Sequence, residues 1–487
     1  MKTSTKSLRR AMEHAGSYEE WRLIAQELDR ATGLDDWQED DASPYYDYPL
    51  IRFRLNELKE ARQRGDVNQL IFNLHEGLHG NLGNIANPVL YGISTFGTKR
   101  LICDYLDEVS ACLIYLCDNE FEQFPFAEKL EFFKSSGRSF GRSALMLSGG
   151  AALGLFHLGV IKALWEERLL PTVVSGSSAG AIIVSALGAH TDNEIDSLLE
   201  PSYLYTEAFK VIGWRGVFKG RPLLDGDHLE SCLEQNVPDM TFAEAFERTG
   251  RLINIPVSPY DTHQQSRLLN ARTSPHVLIR KAALASCAIP GVFPAVTLWA
   301  KNVHGEKVPY IPSRKWVDGS IKDDLPYHRL ARLYGVNHTI VSQTNPHVVP
   351  FLSRDGDGHS LARFAKDLAV KNLRMNVHML LDVLRRNVPN DDVALLLDKA
   401  QSVVTQQYSG DINIVPPMFV RNFLRVVKNP NTTDMQYFIE SGAKSTWPKI
   451  EFIRRTTQIS RIFSECIDKL KKQEENRLRN PKLFLVS

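Results

Sequence analysis

ALMLSGGAALGLFHLGVIKALWEERLLPTVVSGSSAGAIIVSAL, residues 144–187, sets the order around which the rest of the chain is arranged. An apolar run, Ala144–Leu147, ends in a small-residue turn, Ser148-Gly149-Gly150-Ala151-Ala152. Leu153, Phe156, Val160 and Leu164 then recur at helical spacing, which predicts a helix with one buried face. A second apolar run, Thr172–Val174, leads into Gly176-Ser177-Ser178-Ala179-Gly180 and a further helix-favouring stretch. The pattern is strand, glycine loop, helix, strand, Gly-x-Ser-x-Gly, helix, which is an α/β order.

In a Gly-x-Ser-x-Gly bend between strand and helix, the glycines remove side chains that would strike neighbouring backbone, and the serine hydroxyl is held out above the sheet. Ser178 has that setting, between Val173-Val174 and the helix-favouring run from Ala179. The plain alternative is a small-residue turn that only packs a strand on a helix. The earlier loop favours chemistry: Gly149 and Gly150 let backbone N–H groups approach a ligand, and such donors are worth a few kcal/mol to a developing oxyanion. The loop lacks the Lys-Ser/Thr of a phosphate loop, and its glycine spacing does not fit a dinucleotide fingerprint. A base is still required. Asp318, in Lys315-Trp316-Val317-Asp318-Gly319-Ser320, can take the proton directly if desolvation raises its basicity; otherwise it is a buried turn aspartate.

Taken together, these residues resemble the patatin-like phospholipase family: a glycine loop after the first strand, Gly-x-Ser-x-Gly about thirty residues on, and a late Asp-Gly. Ala285-Ser286-Cys287-Ala288-Ile289-Pro290-Gly291-Val292-Phe293-Pro294 is similar to the family's Ala-Ser-x-Ala-x-Pro-x-x-Phe-Pro segment. The resemblance implies a three-layer α/β/α catalytic domain. It implies Ser178 as nucleophile, Asp318 as base, Gly176 and Gly180 as the elbow glycines, and the backbone of Gly149, Gly150, Ala151 and Ala152 as oxyanion hole. It also implies hydrolysis of glycerolipid acyl esters with neither metal nor organic cofactor. Ala151 stands where many relatives have a third glycine or Arg-Gly, and Ser320 where they have Ala or Gly; neither change removes a catalytic atom.

The chain of 487 residues is long enough for more than one domain. Its 58 basic and 57 acidic residues leave no net field of the kind that attracts nucleic acid. The six cysteines show no CxxC pairing and read as buried thiols of a reducing compartment. Residues 1–140 read as a helical N-terminal domain, 144–333 as the catalytic domain and 334–487 as a mainly helical C-terminal extension. Ser17-Tyr18-Glu19-Glu20 caps a helix with Trp21, Ile24, Ala25 and Leu28 on one face and Gly33 at its end, and a second helix runs from Leu50 to about Arg64. Trp37-x-Glu39-Asp40-x-x-Ser43-Pro44-Tyr45-Tyr46-Asp47 and Leu78-His79-x-Asn81-Leu82-Gly83 resemble the domain attached to the patatin-like part of yeast and plant triacylglycerol lipases. That resemblance favours triacylglycerol, whereas the catalytic motifs alone allow phospholipid or lysophospholipid.

Other chemistries are open at this level. His75-Glu76-Gly77-Leu78-His79 spells the zinc-hydrolase motif HExxH, with Glu108 as a distant third ligand. The glycine between the ligands disfavours it, and the packing of two helix histidines is the alternative. A Ser-Asp-His triad would draw on His338 or His347 in the strand and turn at 338–347. A lysophospholipid acyltransferase or transacylase would use the same dyad, but the His-x4-Asp motif of some acyl-transferring relatives is absent.

No apolar run approaches the roughly 18 residues of a membrane span, and the N-terminus has no signal-like apolar core. The expectation is a cytoplasmic protein associated peripherally with a membrane or lipid droplet, with oligomeric state undetermined. Helices are expected at 361–384 and 391–404, and a turn and strand at 408–417. The last helix carries Ile459, Ile462, Phe463, Cys466, Ile467 and Leu470 on one face, with Arg461, Lys469, Lys471 and Lys472 around it. That pattern suits packing on its own domain or lying on an anionic surface. Residues 210–221 interleave Trp214 and Phe218 with Lys210, Arg215, Lys219 and Arg221, a pattern either of a tucked loop or of lipid contact. If they contact lipid, Trp214→Ser with Phe218→Ser lowers partition onto phospholipid vesicles while hydrolysis of a short soluble ester is kept; unchanged vesicle sedimentation removes the idea.

Overall fold

β1 (Arg142–Leu147) and β2 (Val173–Gly176) run parallel, with Ala144 opposite Val173 and Leu147 opposite Gly176. β3 (Leu252–Pro259) is parallel to β2, with Val173 opposite Leu252, and β4 (Arg267–Asn270) is antiparallel to β3. All eight residues of β3 are buried, which requires cover on both faces of the sheet and suits its mostly apolar sequence, Asn254 and Ser258 excepted. β5 (Trp299–Lys301) and β6 (Lys307–Pro309) make a separate hairpin. β7 (Trp316–Asp318) returns to β3 antiparallel, and β8 (Val336–Ser342) and β9 (Ile412–Ile414) extend the sheet beyond β1. The result is a seven-stranded mixed sheet in the order β4-β3-β2-β1-β8-β9, with β7 on β3.

One detail of register positions the site. Val257 of β3 has Arg267 of β4 on one edge and Asp318 of β7 on the other. Asn254 has Asn270 of β4 on the first edge and Ser175 of β2 on the second. β7 therefore takes over the edge of β3 that β2 leaves, and Asp318 comes to lie just beyond the carboxyl end of β2.

The computed structural model describes residues 4–201, 203, 224–261, 264–290, 292–320, 324–345, 348, 409–417 and 429–479. The segment 210–221, Gly291, His347 and the helices expected at 361–384 and 391–404 lie outside the described residues. The chain packs as two units, one drawn from 1–143, 333–338 and 447–487, the other from 144–332 and 339–446.

In the first unit, Ser17 accepts the Glu20 N–H and opens the helix Tyr18–Thr32, which Gly33 ends in the left-handed conformation. The second helix runs Tyr48–Arg64, two residues earlier than expected, because Asp47 supplies the cap to Leu50 N–H and proline is favoured in the first turn. The Trp37 to Asp47 block wraps a buried lysine. Lys99 Nζ donates to the carbonyls of Trp37 and Asp40 at 2.7 Å and of Ala42 at 3.1 Å, and lies 4.1 Å from the Trp37 ring centre. The C-terminal helix Ile450–Arg479 buries Ile459, Phe463, Cys466 and Leu470 in this unit's core, with Ile462 and Ile467 against it. Lys469 pairs with Asp118 and Arg477 with Glu120, each at 2.8 Å. Its apolar face is thus covered by protein, which selects packing on its own unit over lying on an anionic surface.

In the second unit Leu153, Phe156, Val160 and Leu164 are all buried, but Leu153 sits in a 3-10 turn at Ala151–Leu155, and the helix Phe156–Glu166 is buried nearly all round instead of on one face. The helices Phe156–Glu166 and Thr432–Thr446 meet backbone to backbone. A Cβ on Gly159 would overlap the Ile439 carbonyl oxygen, and one on Gly442 would overlap that of Phe156. Neither helix can move apart without opening the core beneath it. Gly159→Ala or Gly442→Ala therefore lowers stability by about 1–3 kcal/mol, read from the urea midpoint; a midpoint unchanged in both variants contradicts this crossing.

Candidate active site

Because Leu147 and Gly176 are opposite one another, the chain leaves β1 and β2 side by side at the carboxyl end of the parallel strands. Ser178, at the start of the helix Ala179–Ala189, has φ 50° and ψ −119°, a conformation that costs a non-glycine residue roughly 1–3 kcal/mol. Gly176 and Gly180 permit the bend: a Cβ on Gly176 would overlap the Gly180 carbonyl oxygen, and one on Gly180 would press on that of Leu147. The elbow is also held by hydrogen bonds. Ser178 N–H donates to Ser286 Oγ at 3.1 Å, and the Ser286 hydroxyl donates to the Pro256 carbonyl at 2.9 Å.

Asp318 is 0% exposed. Its N–H donates to the Ala288 carbonyl at 3.0 Å, and its Oδ1 accepts the Ser320 N–H at 2.7 Å. Burial pushes its carboxyl up to about 7, against the opposing pull of Ser320 and of the nearby Ser178 hydroxyl. Among the described residues Oδ2 has no aligned hydrogen-bond partner, so the Ser178 hydroxyl is close to the carboxylate without being aligned on that oxygen. Pairs of this kind commonly align only when substrate arrives. Burial and the neighbouring Asp318 also keep the Cys287 thiol well above its ordinary range, hence protonated.

The glycine loop is held by a network the sequence does not reveal. Gly149 N–H donates to Asp324 Oδ1 at 3.1 Å, and the Gly149 carbonyl accepts from Ser148 Oγ at 2.8 Å and Thr344 Oγ1 at 3.0 Å. His157, fully buried, donates from Nε2 to the Ser148 carbonyl at 2.9 Å and accepts the Ser342 hydroxyl on Nδ1 at 2.7 Å. Burial lowers its pKa to about 4, so the ring is neutral. Of the four loop residues expected to present amides, Gly149 has its N–H engaged by Asp324; Gly150, Ala151 and Ala152 follow it, with Ala151 at φ 49°. An apolar cleft opens beside Ser178, lined among others by Ala152, Leu155, Ile182, Leu233 and Phe293.

Two parts of the chain match family models: residues 145–331 match the patatin-like phospholipase model, and residues 1–138 a domain of unknown function, DUF3336. Triacylglycerol lipase ptl3 of Schizosaccharomyces pombe is 32% identical over 489 residues, covering 97% of this chain and 99% of that protein. The chain belongs to the patatin-like phospholipase family. Triacylglycerol lipase SDP1L of Arabidopsis thaliana is 36% identical over 94% of this chain and 58% of its own length. Triacylglycerol lipase 4 of Saccharomyces cerevisiae is 37% identical over 91% of this chain and 51% of its own length. This patatin-like chain thus spans a little over half the length of those two relatives.

Other candidates from the sequence are not brought to the patatin elbow. His338 lies in β8, four residues before its end, and contacts Ser143 Oγ at 3.1 Å, at the start of β1 rather than at its glycine-loop end. A triad through His338 is therefore set aside, and His347 lies outside the described residues. The HExxH zinc site is also corrected. The helix Val67–Gly77 stops before His79, with Leu78 at φ −81° and ψ 73°, so the two histidines do not share one helical face. His75 packs edge-on against Phe132 at 4.9 Å, and Glu108 is held by Arg62 at 2.6 and 3.0 Å. Among the described residues no three of His, Cys, Asp and Glu are grouped to hold a metal ion. Sequence reasoning missed Asp324, His157, Thr344 and Asn345 as parts of this patatin site; Ser286 stood in a quoted motif without a role.

Because Asp318 titrates near 7 in the fold and near 4 in an unfolded chain, its stabilising contribution is complete below about 4 and is lost as pH rises through about 7. Asp318→Asn removes that loss. Its gain in thermal midpoint over wild type grows from pH 5 to 7 and then levels off; a gain independent of pH, or larger in acid, contradicts the buried charge.

Proposed function

We propose that this chain is a serine lipid acyl hydrolase cleaving fatty-acyl esters of glycerolipids through a Ser178–Asp318 dyad and an acyl-enzyme. The observation that carries the proposal is a buried carboxylate, titrating near neutrality, beside a serine in a strained elbow at the wall of an apolar cleft. Ser178 Oγ attacks the ester carbonyl as Asp318 takes its proton. The amides of Gly150, Ala151 and Ala152 hold the tetrahedral oxyanion, with Gly149 supporting the loop instead of contributing its N–H. Protonated Asp318 returns the proton to the departing alcohol, the acyl chain rests in the cleft, and water activated by the same carboxylate releases the fatty acid. Every step uses side chains and backbone of this chain, without metal or organic cofactor.

Triacylglycerol is the preferred substrate in this proposal, because relatives similar over most of this chain carry that name. Phospholipid is the second choice, and acyl transfer to a lysolipid, with the same acyl-enzyme, is the alternative reaction. The work falls to residues 144–333, with 1–140 as a helical N-terminal domain and 334–487 as the C-terminal extension. In this proposal the chain meets a membrane or lipid-droplet surface peripherally, from the cytoplasm; among the described residues no helix is long and apolar enough to cross a membrane.

The test is fatty-acid release from triolein and from phosphatidylcholine, with and without lysolipid acceptor, by wild type, Ser178→Ala and Asp318→Asn. Both variants fall by at least a hundredfold, and wild-type kcat/KM rises with pH through about 7 as Asp318 becomes the free base. Equal rates for wild type and Ser178→Ala end the hydrolase proposal, and acyl transfer outrunning release favours the alternative.

A further inference from the structure

We infer that Asp324, gripped by Asn345, is a positioning residue that sets the glycine loop against Ser178 for the reaction proposed above, on whose dyad this inference rests. Asp324 is 2% exposed and joins three segments that are far apart in sequence. Its Oδ1 accepts the Gly149 N–H at 3.1 Å, its Oδ2 accepts the Asn345 Nδ2–H at 2.5 Å, and its carbonyl accepts the Ser177 hydroxyl at 2.7 Å. Asn345 is itself oriented, its N–H donating to Gln343 Oε1 at 3.0 Å.

The geometry shows why this matters to the oxyanion. Both peptide groups flanking Gly149 are tied, the 148–149 group through its N–H by Asp324 and the 149–150 group through its carbonyl by Ser148 and Thr344. Holding the first group fixes the residue from which the second, and the amides that follow it, are directed. Space around the loop is also tight: a Cβ on Gly149 would lie 3.3 Å from both Asn345 Oδ1 and Ser178 Cβ, and one on Gly150 would overlap Thr344 Oγ1. Of the two buried carboxylates here, Asp318 is beside the Ser178 hydroxyl, whereas Asp324 holds the loop through Gly149 and the elbow through Ser177. A carboxylate suits that post because it only accepts: one oxygen takes the loop amide while the other takes the Asn345 amide.

Asp324→Asn breaks this pairing. If its oxygen keeps the Gly149 N–H, its NH2 meets the NH2 of Asn345, donor against donor. Exchanging the pair, Asp324→Asn with Asn345→Asp, restores one acceptor facing one donor. A displacement of about 1 Å at a reacting centre can cost on the order of 100-fold in rate.

The experiment measures kcat, KM and their pH dependence on a short p-nitrophenyl ester, and the rate of Ser178 labelling by a fluorophosphonate, on the full chain. Asp324→Asn lowers kcat and labelling about 100-fold with KM within about threefold and the acid limb unmoved, and the exchanged pair recovers at least tenfold. Wild-type kcat in Asp324→Asn, or a folded exchanged pair no better than the single variant, overturns the inference. So does loss of the acid limb in Asp324→Asn, which would make Asp324 the base. If folded Asp324→Asn is not obtained, Asn345→Ala, which keeps the carboxylate, serves: kcat falls about tenfold with KM kept, and unchanged kcat overturns the inference. Ser178→Ala as active as wild type overturns the hydrolase proposal itself; an inactive Ser178→Ala beside an unaffected Asp324→Asn overturns only the positioning role.

Discussion

Val257 carries two neighbours on its two edges, Arg267 and Asp318, and the candidate site depends on that pairing. β2 stops pairing with β3 after Ser175 opposite Asn254, and β7 occupies the vacated edge. A serine leaving β2 and an aspartate ending β7 are then forced to the same place, although 140 residues separate them in the sequence. The glycine loop is brought there by the parallel register of β1 and β2, which starts both turns at one level.

What gathers at that sheet edge is polar and buried: Ser178, Asp318, Asp324, His157, Ser286 and Thr344. Such groups lower stability unless each finds a hydrogen-bonding partner, and most do so across segments. Ser286 links the elbow to β3, His157 links the glycine loop to β8, and Asp324 links loop, elbow and Asn345. Among the described residues, Asp318 Oδ2 differs from these in being buried without an aligned partner in a place where ionisation is costly. A local rule of stability is broken at the atom that the proposed reaction would use as proton acceptor, and functional sites are where such violations are expected.

The other unit shows how a family-specific motif arises from packing. The Trp37 to Asp47 block supplies three carbonyls and an indole face to the buried Lys99 ammonium, so backbone shape rather than any reactive side chain explains much of that pattern. The C-terminal helix follows the same logic. Its basic residues look like surface-seeking groups in isolation, yet Lys469 and Arg477 meet acidic partners while the apolar stripe completes the core.

Local patterns were legible because they have local causes. The order of strand, loop and helix, the burial of Leu153, Phe156, Val160 and Leu164, the Ser17 and Gly33 caps and the elbow glycines each follow from side-chain periodicity or from what a turn tolerates. HExxH misled for the converse reason: spacing assumes an unbroken helix, and Gly77 ends that one before His79. The sequence by itself determined the α/β order, the strained serine and the aspartate that could answer it. Only the tertiary structure decided that Asp318 lies near Ser178 while His338 does not, that Gly149 gives its N–H to Asp324, and that the last helix turns inward. Those outcomes hang on which strand takes a free sheet edge and which buried group finds a donor, and both are settled between residues too distant along the chain for any spacing to encode.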